Sequence, residues 1–281
     1  MKDYSAWLGK ERVSRFRIDP WPATAFALAL GQDNPPGEGD ALPPFWHHLY
    51  GLDAVHARDT NSDGHRKRGD FLPPIALPRR MWAGGRLTFD GRLLVGEEVV
   101  RRSTVRQITP KIGRTGELVF VLVEHVIEGA RGRIVEEHDI VYREAQTSGG
   151  GQGDPVPAPA SADISIDHDP DEVLLFRYSA LTYNGHRIHY DRPYVTGVEG
   201  YPGLIVHGPL LATFLFELLR QSFPARSLKR FEFRAVQPVF VGDGFSARCS
   251  GSGDGKLDLW IAKRGADAGG SLAMKATAGF A

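Results

Sequence analysis

Leucine and phenylalanine recur at helical spacing in the most apolar stretch of the chain. Between Leu210 and Leu219 they stand three or four positions apart, and Phe223-Pro224 ends the run. This pattern predicts a helix that is apolar on nearly all sides and is therefore wrapped by the rest of its domain. Shorter helices are predicted at residues 4–16, 22–30 and 43–52.

Runs rich in β-branched and aromatic residues predict two sets of strands. The first set comprises residues 86–89, 98–108, 118–127 and 133–142, and the second comprises residues 173–178, 230–235, 245–250, 257–262 and 272–278. Residues 146–162 hold Gly, Pro, Ser and Ala without periodicity, which is typical of a flexible linker. The sequence therefore predicts an α+β protein with one domain at residues 1–145 and a second at residues 163–281.

The two predicted domains follow the same plan. Each holds helical segments and an antiparallel sheet, and residues 94–97 (Leu-Val-Gly-Glu) resemble residues 240–243 (Phe-Val-Gly-Asp), just ahead of a strand in both cases. A duplication, with a curved sheet around a central helix in each half, would account for this repetition.

Composition excludes several classes of function. Lys and Arg together number 34, as do Asp and Glu, so there is no global basic field to hold a nucleic acid or an anionic membrane. Cys249 is the one cysteine, which excludes an intramolecular disulfide. The chain starts without an apolar signal core and has no apolar run of membrane-spanning length. We expect a soluble, cytoplasmic protein.

Polar side chains are concentrated directly ahead of the long helix. Residues 178–207 hold three His and two Arg, and Gly208-Pro209 follows them. Proline is favoured at the first position of a helix, and glycine lets a ligand approach the backbone closely. The unpaired N–H groups of a helix start can stabilise an oxyanion, so this junction is predicted to be a site.

Two segments of the sequence hold possible metal ligands. Residues 59–70 match the spacing of a calcium loop, but they place cations inside the cage and prolines where the exiting helix should begin. His186 and His189, with Asp191 nearby, lack a third strong ligand at a sensible spacing. We therefore expect no metal.

Residues 183–191 (Tyr-Asn-Gly-His-Arg-Ile-His-Tyr-Asp) and 205–209 (Ile-Val-His-Gly-Pro) resemble the MaoC-like hydratases and dehydratases. Residues 63–65, 69–74, 78–85 and 139–143 resemble a narrower branch of that superfamily. The branch contains mesaconyl-C4-CoA hydratases, itaconyl-CoA hydratases and mitochondrial-type 3-hydroxyacyl-thioester dehydratases. The resemblance implies a double hot-dog fold and a hydro-lyase activity on acyl thioesters.

The resemblance also implies catalytic roles. The catalytic Asp of the family falls on Asn184, its catalytic His on His189, and its oxyanion donor on the N–H of Gly208. Asn184 cannot titrate, so His189 must carry more of the proton transfer while Asn184 orients the water. A half-buried structural histidine is the alternative for His189. Residues 31–35 look like a decayed copy of the motif, so the first domain is expected to shape the substrate tunnel.

Further residues are expected to contact the substrate: His186, His207, Tyr183, Trp82, Arg80 and Arg187. His186 and His207 are expected to shape the site through hydrogen bonds. Arg187, Arg80 or Arg192 could pair with the free carboxylate of a dicarboxylic acyl group, the alternative for Arg187 being a salt bridge. A basic loop is expected either to meet the phosphates of CoA or to be merely solvated; it comprises His65, Arg66, Lys67 and Arg68.

The function implied is hydration of mesaconyl-C4-CoA or itaconyl-CoA to citramalyl-CoA, without a cofactor because CoA is part of the substrate. Three alternatives stay open: a dehydratase of fatty-acyl metabolism, a thioesterase and a non-catalytic acyl-CoA-binding protein. A homodimer is also open, because sheet edges in this architecture often pair between subunits.

Overall fold

The structure is a computed structural model, which describes residues 3–113, 116–144, 154–253, 255–265 and 269–281. Its α-helices are α1 (Pro20–Ala29), α2 (Glu172–Leu181), α3 (Arg192–Gly197) and α4 (Gly208–Ser222). Its strands are β1 (Glu11–Arg17), β2 (Arg79–Gly91), β3 (Glu98–Gly113), β4 (Gly116–Glu128), β5 (Gly132–Arg143), β6 (Ile164–His168), β7 (Leu228–Ala235), β8 (Phe245–Gly253), β9 (Lys256–Lys263) and β10 (Ser271–Phe280).

All ten strands form one antiparallel sheet. Its order is β1-β3-β4-β5-β2-β7-β10-β9-β8-β6. From its outer edge to the junction, the first half therefore runs β1-β3-β4-β5-β2, and the second half runs β6-β8-β9-β10-β7 in the same way. The halves join where β2 pairs with β7, from Gly84 opposite Arg234 to Thr88 opposite Arg230. A side chain at Gly84 would lie 2.5 Å from the carbonyl oxygen of Phe233, so glycine permits this close pairing. The two predicted sheets are therefore continuous.

Hydrogen bonds establish which residues of the two halves correspond. Leu42 N–H donates to the Leu93 carbonyl at 2.8 Å, and Val206 N–H donates to the Val239 carbonyl at the same distance. The bridge of Ala41 with Leu94 likewise repeats as Ile205 with Phe240. Since Leu42 corresponds to Val206, the next pair, Pro43-Pro44, corresponds to His207-Gly208.

The long helix is the centre of the second half, as predicted. All of its residues from Leu210 to Leu219 are buried, including Thr213 and Glu217. It packs against β8 and β9. Within the described residues, no helix is long and apolar enough to cross a membrane.

Two predicted elements are wrong, and a third is much shorter than expected: residues 43–52, expected as a helix, hold only a 3-10 helix at Trp46–Leu49. Residues 173–178, expected as a strand, lie in α2, where the Asp171 carboxylate caps the helix by accepting from Leu174 N–H at 2.8 Å. Residues 4–16, expected as a helix, hold a short 3-10 helix (Ser5–Trp7) and most of β1, in which exposed residues alternate with less exposed ones and which pairs with β3.

The predicted linker, residues 146–162, is described only from residue 154 onward. Ala158 is buried with Trp260 and Ala262, and Leu272 N–H donates to the Val156 carbonyl at 2.7 Å. This part of the segment therefore packs against β9 and β10 of the second half.

Candidate active site

The segment between α2 and α4 brings the predicted catalytic residues to one place. His189 is 7% exposed, and its Nδ1 lies 2.7 Å from the carbonyl oxygen of Ile205. A carbonyl oxygen only accepts, so Nδ1 carries the proton and Nε2 presents a free lone pair. His189 therefore has the tautomer of a base.

His207 fixes the orientation of His189 by stacking. The two rings are parallel to within 18°, with centroids 3.6 Å apart. His207 is fully buried, and its Nε2 lies 2.8 Å from Ser179 Oγ on α2. His207 is thus held by a hydrogen bond beside His189, from a partner, Ser179, that carried no signal in the sequence. A role of His207 in shaping the site for substrate stays a prediction.

The imidazoles of the site are neutral at neutral pH. Burial lowers the pKa of His189 to about 4, with the Ile205 hydrogen bond opposing the shift and the charge of His65 adding to it. Burial and the neighbouring histidines likewise lower the pKa values of His186 and His207. A neutral His189 can take a proton without first losing one.

Gly208 begins α4 immediately after His207. A Cβ at this position would meet no atom within 4 Å, so there is open space beside the backbone. Within the described residues, no acceptor pairs with the Gly208 N–H, and Pro209 follows it at the helix start. A carbonyl oxygen placed here would meet an N–H and the positive end of the helix dipole.

Asn184 shapes the loop that carries His186. Its Oδ1 accepts a hydrogen bond from the His186 N–H at 3.1 Å, and the His186 ring meets the His189 ring edge-on at 5.5 Å. Tyr183, which precedes Asn184 at the end of α2, is 57% exposed and has a positive φ of 51°. Tyr183 therefore lies at the solvent-exposed edge of this loop.

A loop of the first half docks onto this motif. A Cβ on Gly64, whose φ is +89°, would overlap the Gly185 carbonyl oxygen at 1.7 Å. Arg187 N–H donates to the Asp63 carbonyl at 2.9 Å, and the His65 ring lies 4.0 Å from the His186 ring. The site is thus built by both halves.

Asp63 and His65 form a hydrogen-bonded pair within that loop. Asp63 Oδ2 lies 3.1 Å from His65 Nδ1. Burial raises the pKa of Asp63, but the His65 hydrogen bond and charge outweigh it, so the pKa is low and Asp63 is ionised. Burial lowers the pKa of His65 to about 4.

The three arginines proposed to read a carboxylate differ in their partners. Arg187 contacts Asp191 at 2.8 Å and the Ser62 carbonyl at 3.0 Å. Arg192, which is exposed, lies 3.2 Å from Glu172. Half-buried Arg80 has no acidic partner among the described residues; its charge acts on His65 and His186. Among these three arginines, Arg80 is therefore the one without a carboxylate partner in the described residues; its guanidinium interacts with the Tyr142 hydroxyl.

The basic loop after His65 is held by local contacts. Arg66 pairs with Asp70 at 3.1 Å, and Lys67 Nζ donates to the Arg58 carbonyl at 2.6 Å. Arg68 donates to the carbonyl oxygens of Ile75, Leu77 and Pro78. These contacts give the loop a structural role, and phosphate binding by it stays a prediction.

Trp82 lies in a buried polar cluster of the first half. Its ring is 4.2 Å from that of His138 and 5.3 Å from that of His48. The Glu136 carboxylate lies at the centre of this cluster, 2.8 Å from His48 Nε2 and 2.9 Å from His47 Nε2. Contact of Trp82 with the substrate also stays a prediction.

Two groups of side chains have atoms close enough to share a metal ion. They are His47, His48 and Glu136, and Asp63, His65 and His186. His47 and His48 have nitrogens 2.8–2.9 Å from Glu136 oxygens, and His65 Nδ1 lies 3.1 Å from Asp63 Oδ2. These are hydrogen-bond distances, so these histidines and carboxylates already pair with each other.

Comparison with known proteins places this geometry among acyl-thioester enzymes. The family model for hydroxyacyl-thioester dehydratase type 2 matches residues 45–241. Mesaconyl-C(4)-CoA hydratase of Chloroflexus aurantiacus is 43% identical over 268 residues, which cover 92% of this chain and 92% of the relative.

Solved structures share the fold. A MaoC-like dehydratase of Phytophthora capsici superposes with a TM-score of 0.69 at 16% identity, over 97% of this chain and 96% of that one. A protein of Mycobacterium tuberculosis described as a double hot-dog fold superposes with a TM-score of 0.54 at 14% identity, over 99% and 98% of the two chains. The expected double hot-dog fold is confirmed.

Proposed function

Because the chain belongs to the hydroxyacyl-thioester dehydratase type 2 family and is a hydro-lyase, we propose that it adds water reversibly to the double bond of mesaconyl-C4-CoA. The product would be citramalyl-CoA. The relative named for this reaction is 43% identical over nearly the whole length of both chains. Itaconyl-CoA, which has the same number of acyl carbons, is the related substrate of this branch.

The observation that carries the proposal is the neutral His189 beside the start of α4. Its free Nε2 takes a proton from a water molecule while the hydroxyl oxygen bonds to the β-carbon. The electron pair of the double bond moves toward the thioester oxygen, where the Gly208 N–H and the helix dipole stabilise it. The protonated His189 then delivers its proton to the α-carbon, so water has been added and the base is restored.

Asn184 positions the water in this scheme. Its amide does not titrate, and its Oδ1 is engaged by the His186 N–H, so the amide N–H₂ group is the part left to hold the water oxygen. One histidine then serves both proton transfers.

Arg80 is the residue we propose for recognition of the dicarboxylic acyl group. A saturated or simple unsaturated acyl chain has no second carboxylate, so it gains nothing from a cation in the pocket. Arg80 has no acidic partner among the described residues, whereas Arg187 is paired with Asp191. A guanidinium can hold a carboxylate through two parallel hydrogen bonds.

The experiment is ultraviolet absorbance of mesaconyl-C4-CoA and crotonyl-CoA, each incubated with the wild type and with His189→Ala. Hydration removes the conjugation between double bond and thioester, so absorbance should fall with mesaconyl-C4-CoA and stay constant with the variant. A fall with crotonyl-CoA alone would assign the protein to fatty-acyl metabolism. Release of CoA thiol would make it a thioesterase, and no change in either signal would make it an acyl-CoA binder.

Dehydration of a 3-hydroxyacyl thioester is the second candidate, since the matching family is described by that reaction. It uses the same residues in reverse, and supply of the 3-hydroxyacyl thioester as substrate tests it.

We also propose a cytoplasmic homodimer, whose subunits pair through β1 or β6, the two outer strands of the sheet. Light scattering would measure its mass.

A further inference from the structure

A cavity of about 540 Å³ lies at the opposite end of α4 from His189. It is formed by residues 32–44 and 89–93 of the first half, by the last turns of α4 and by residues 223–229. Gly208 and Arg220 are separated by roughly 18 Å along the helix, at 1.5 Å per residue. Within the described residues, its lining shares no member with the candidate active site.

The cavity is the counterpart of the active site in the first half. Gln32 N–H donates to the Ala27 carbonyl at 2.9 Å, just as Asn184 N–H donates to the Ser179 carbonyl at 2.8 Å. The residue before each has a positive φ, 73° at Gly31 and 51° at Tyr183. Gln32 therefore occupies the position of Asn184, and Pro44, also in the lining, occupies that of Gly208.

The groups needed for catalysis are missing from this copy. Pro44 has no N–H to stabilise an oxyanion, and no histidine is among the described residues of the lining. The Gln32 amide donates to Glu217 Oε2 at 2.9 Å, and the same oxygen accepts from Arg220 at 2.6 Å. These polar groups are satisfied by one another, so none of them replaces the missing histidine as a base.

What the cavity does have is an apolar floor and a cationic rim. The floor is made by aromatic and aliphatic side chains, among them Phe89, Phe216, Leu219 and Phe223. The rim holds Arg92, Arg226 and Lys229, none of which has a carboxylate partner among the described residues. Asp40, the acid described in the lining, is engaged by the Gly37 N–H at 2.8 Å.

We propose that this cavity is a second, non-catalytic ligand site that takes an apolar acyl chain ending in an anionic head group. The volume lies within the range of about 300–1,000 Å³ that small-molecule sites have. The chain would lie against the aromatic floor, and the head group would meet the unpaired cations at the rim. The proposal rests on the proposed function only for the choice of an acyl thioester as one probe.

The test is calorimetric titration of the full chain with sodium decanoate and, separately, with decanoyl-CoA, neither of which has a double bond to hydrate. Two variants act on the cavity. Arg92→Glu combined with Lys229→Glu reverses the rim, and Ala41→Trp fills the interior from a half-buried loop position. Lys275→Glu, an exposed cation outside the lining, is the matched control. Thermal unfolding checks that each variant folds.

The expected result is saturable binding of one decanoate per chain. In a competition experiment with the His189→Ala variant, which does not consume crotonyl-CoA, a saturating concentration of crotonyl-CoA should not displace the decanoate. The rim reversal should weaken decanoate binding by about tenfold or more, Ala41→Trp should abolish it, and Lys275→Glu should leave it unchanged. A response to decanoyl-CoA alone would assign the rim to CoA phosphates.

The proposal is overturned if neither probe saturates, or if Ala41→Trp binds as well as the wild type. It is also overturned if crotonyl-CoA displaces decanoate, since the cavity would then be part of the catalytic tunnel. Hydration assays on the same variants report separately on the proposed function, because the cavity is distinct from His189 and Gly208.

Discussion

At the scale of single residues, the site depends on how the protein holds one imidazole. His189 is buried, and its Nδ1–H donates a hydrogen bond to the Ile205 carbonyl, so the tautomer and the charge state are both set by the fold. An unperturbed histidine would be partly protonated at neutral pH. In the proposed mechanism, this neutral His189 acts as the base, because Asn184 stands where the family pattern has the catalytic Asp.

We predict that the acid limb of the pH profile of kcat/KM lies well below the pKa of an ordinary histidine. The base is active when neutral, and its pKa is lowered to about 4, so activity is retained as pH falls through 6.5 and is lost near 4. His189→Gln should lower kcat by about 10²- to 10⁴-fold. Initial rates from pH 4 to 8 provide the check, and a midpoint near 6.5 would contradict it.

Arg80→Gln should reduce kcat/KM for mesaconyl-C4-CoA by about 10- to 100-fold, the loss expected for a charged hydrogen bond. Turnover of crotonyl-CoA should change little, since it has no second carboxylate. Arg192→Gln is the matched control, because Arg192 is exposed and paired with Glu172. Equal losses of Arg80→Gln on both substrates would remove Arg80 from acyl-group recognition.

At the scale of elements, the sequence predicted α4 and the strands of the sheet other than β1 and β6, but it could not place the loops. Leu210 to Leu219 repeat at helical spacing, and this local pattern suffices for a buried helix. The short apolar run Val173-Leu174-Leu175-Phe176 fits a strand as well as a helix. It is helical in the structure, where the Asp171 carboxylate caps the start of α2. Docking of Gly64 on Gly185 joins residues far apart in the chain, so no local pattern reports it.

Gly64→Ala should lower the activity on both substrates and destabilise the fold, because the new Cβ would overlap the Gly185 carbonyl oxygen at 1.7 Å. Gly39→Ala is a matched control: Gly39 has a similar φ of +85°, but a Cβ there meets nothing within 4 Å. The control should cost about 1 kcal/mol of backbone strain and keep full activity. Urea unfolding and initial rates measure both effects, and equal behaviour of the two variants would refute the docking role.

At the scale of the whole molecule, the sheets of the two halves are continuous through β2 and β7. The sequence predicted two sheets, since nothing in β2 or β7 alone shows that they pair. Both halves hold buried or half-buried histidines, among them His168 beside Phe214, and burial lowers the pKa values of these imidazoles.

The protein should therefore lose stability as pH falls from about 7.5 to 5. Below pH 6.5 the unfolded chain binds protons at histidines that stay neutral in the fold, which favours unfolding down to the lowered pKa. For His168 this pKa is about 4. The urea midpoint of the wild type should fall over this pH range, and the midpoint of the His168→Gln variant should fall less steeply. A midpoint independent of pH in the wild type would contradict the shift.

The pairing of β2 with β7 gives a physical reason for the two halves to belong to one chain. If either half were produced by itself, a strand that is now interior would become an open edge, with unpaired N–H and C=O groups along its length. Such an edge is a template for aggregation. Covalent fusion keeps the two edges at high effective concentration toward each other, so the first half protects the second from self-association even where it has lost the catalytic groups.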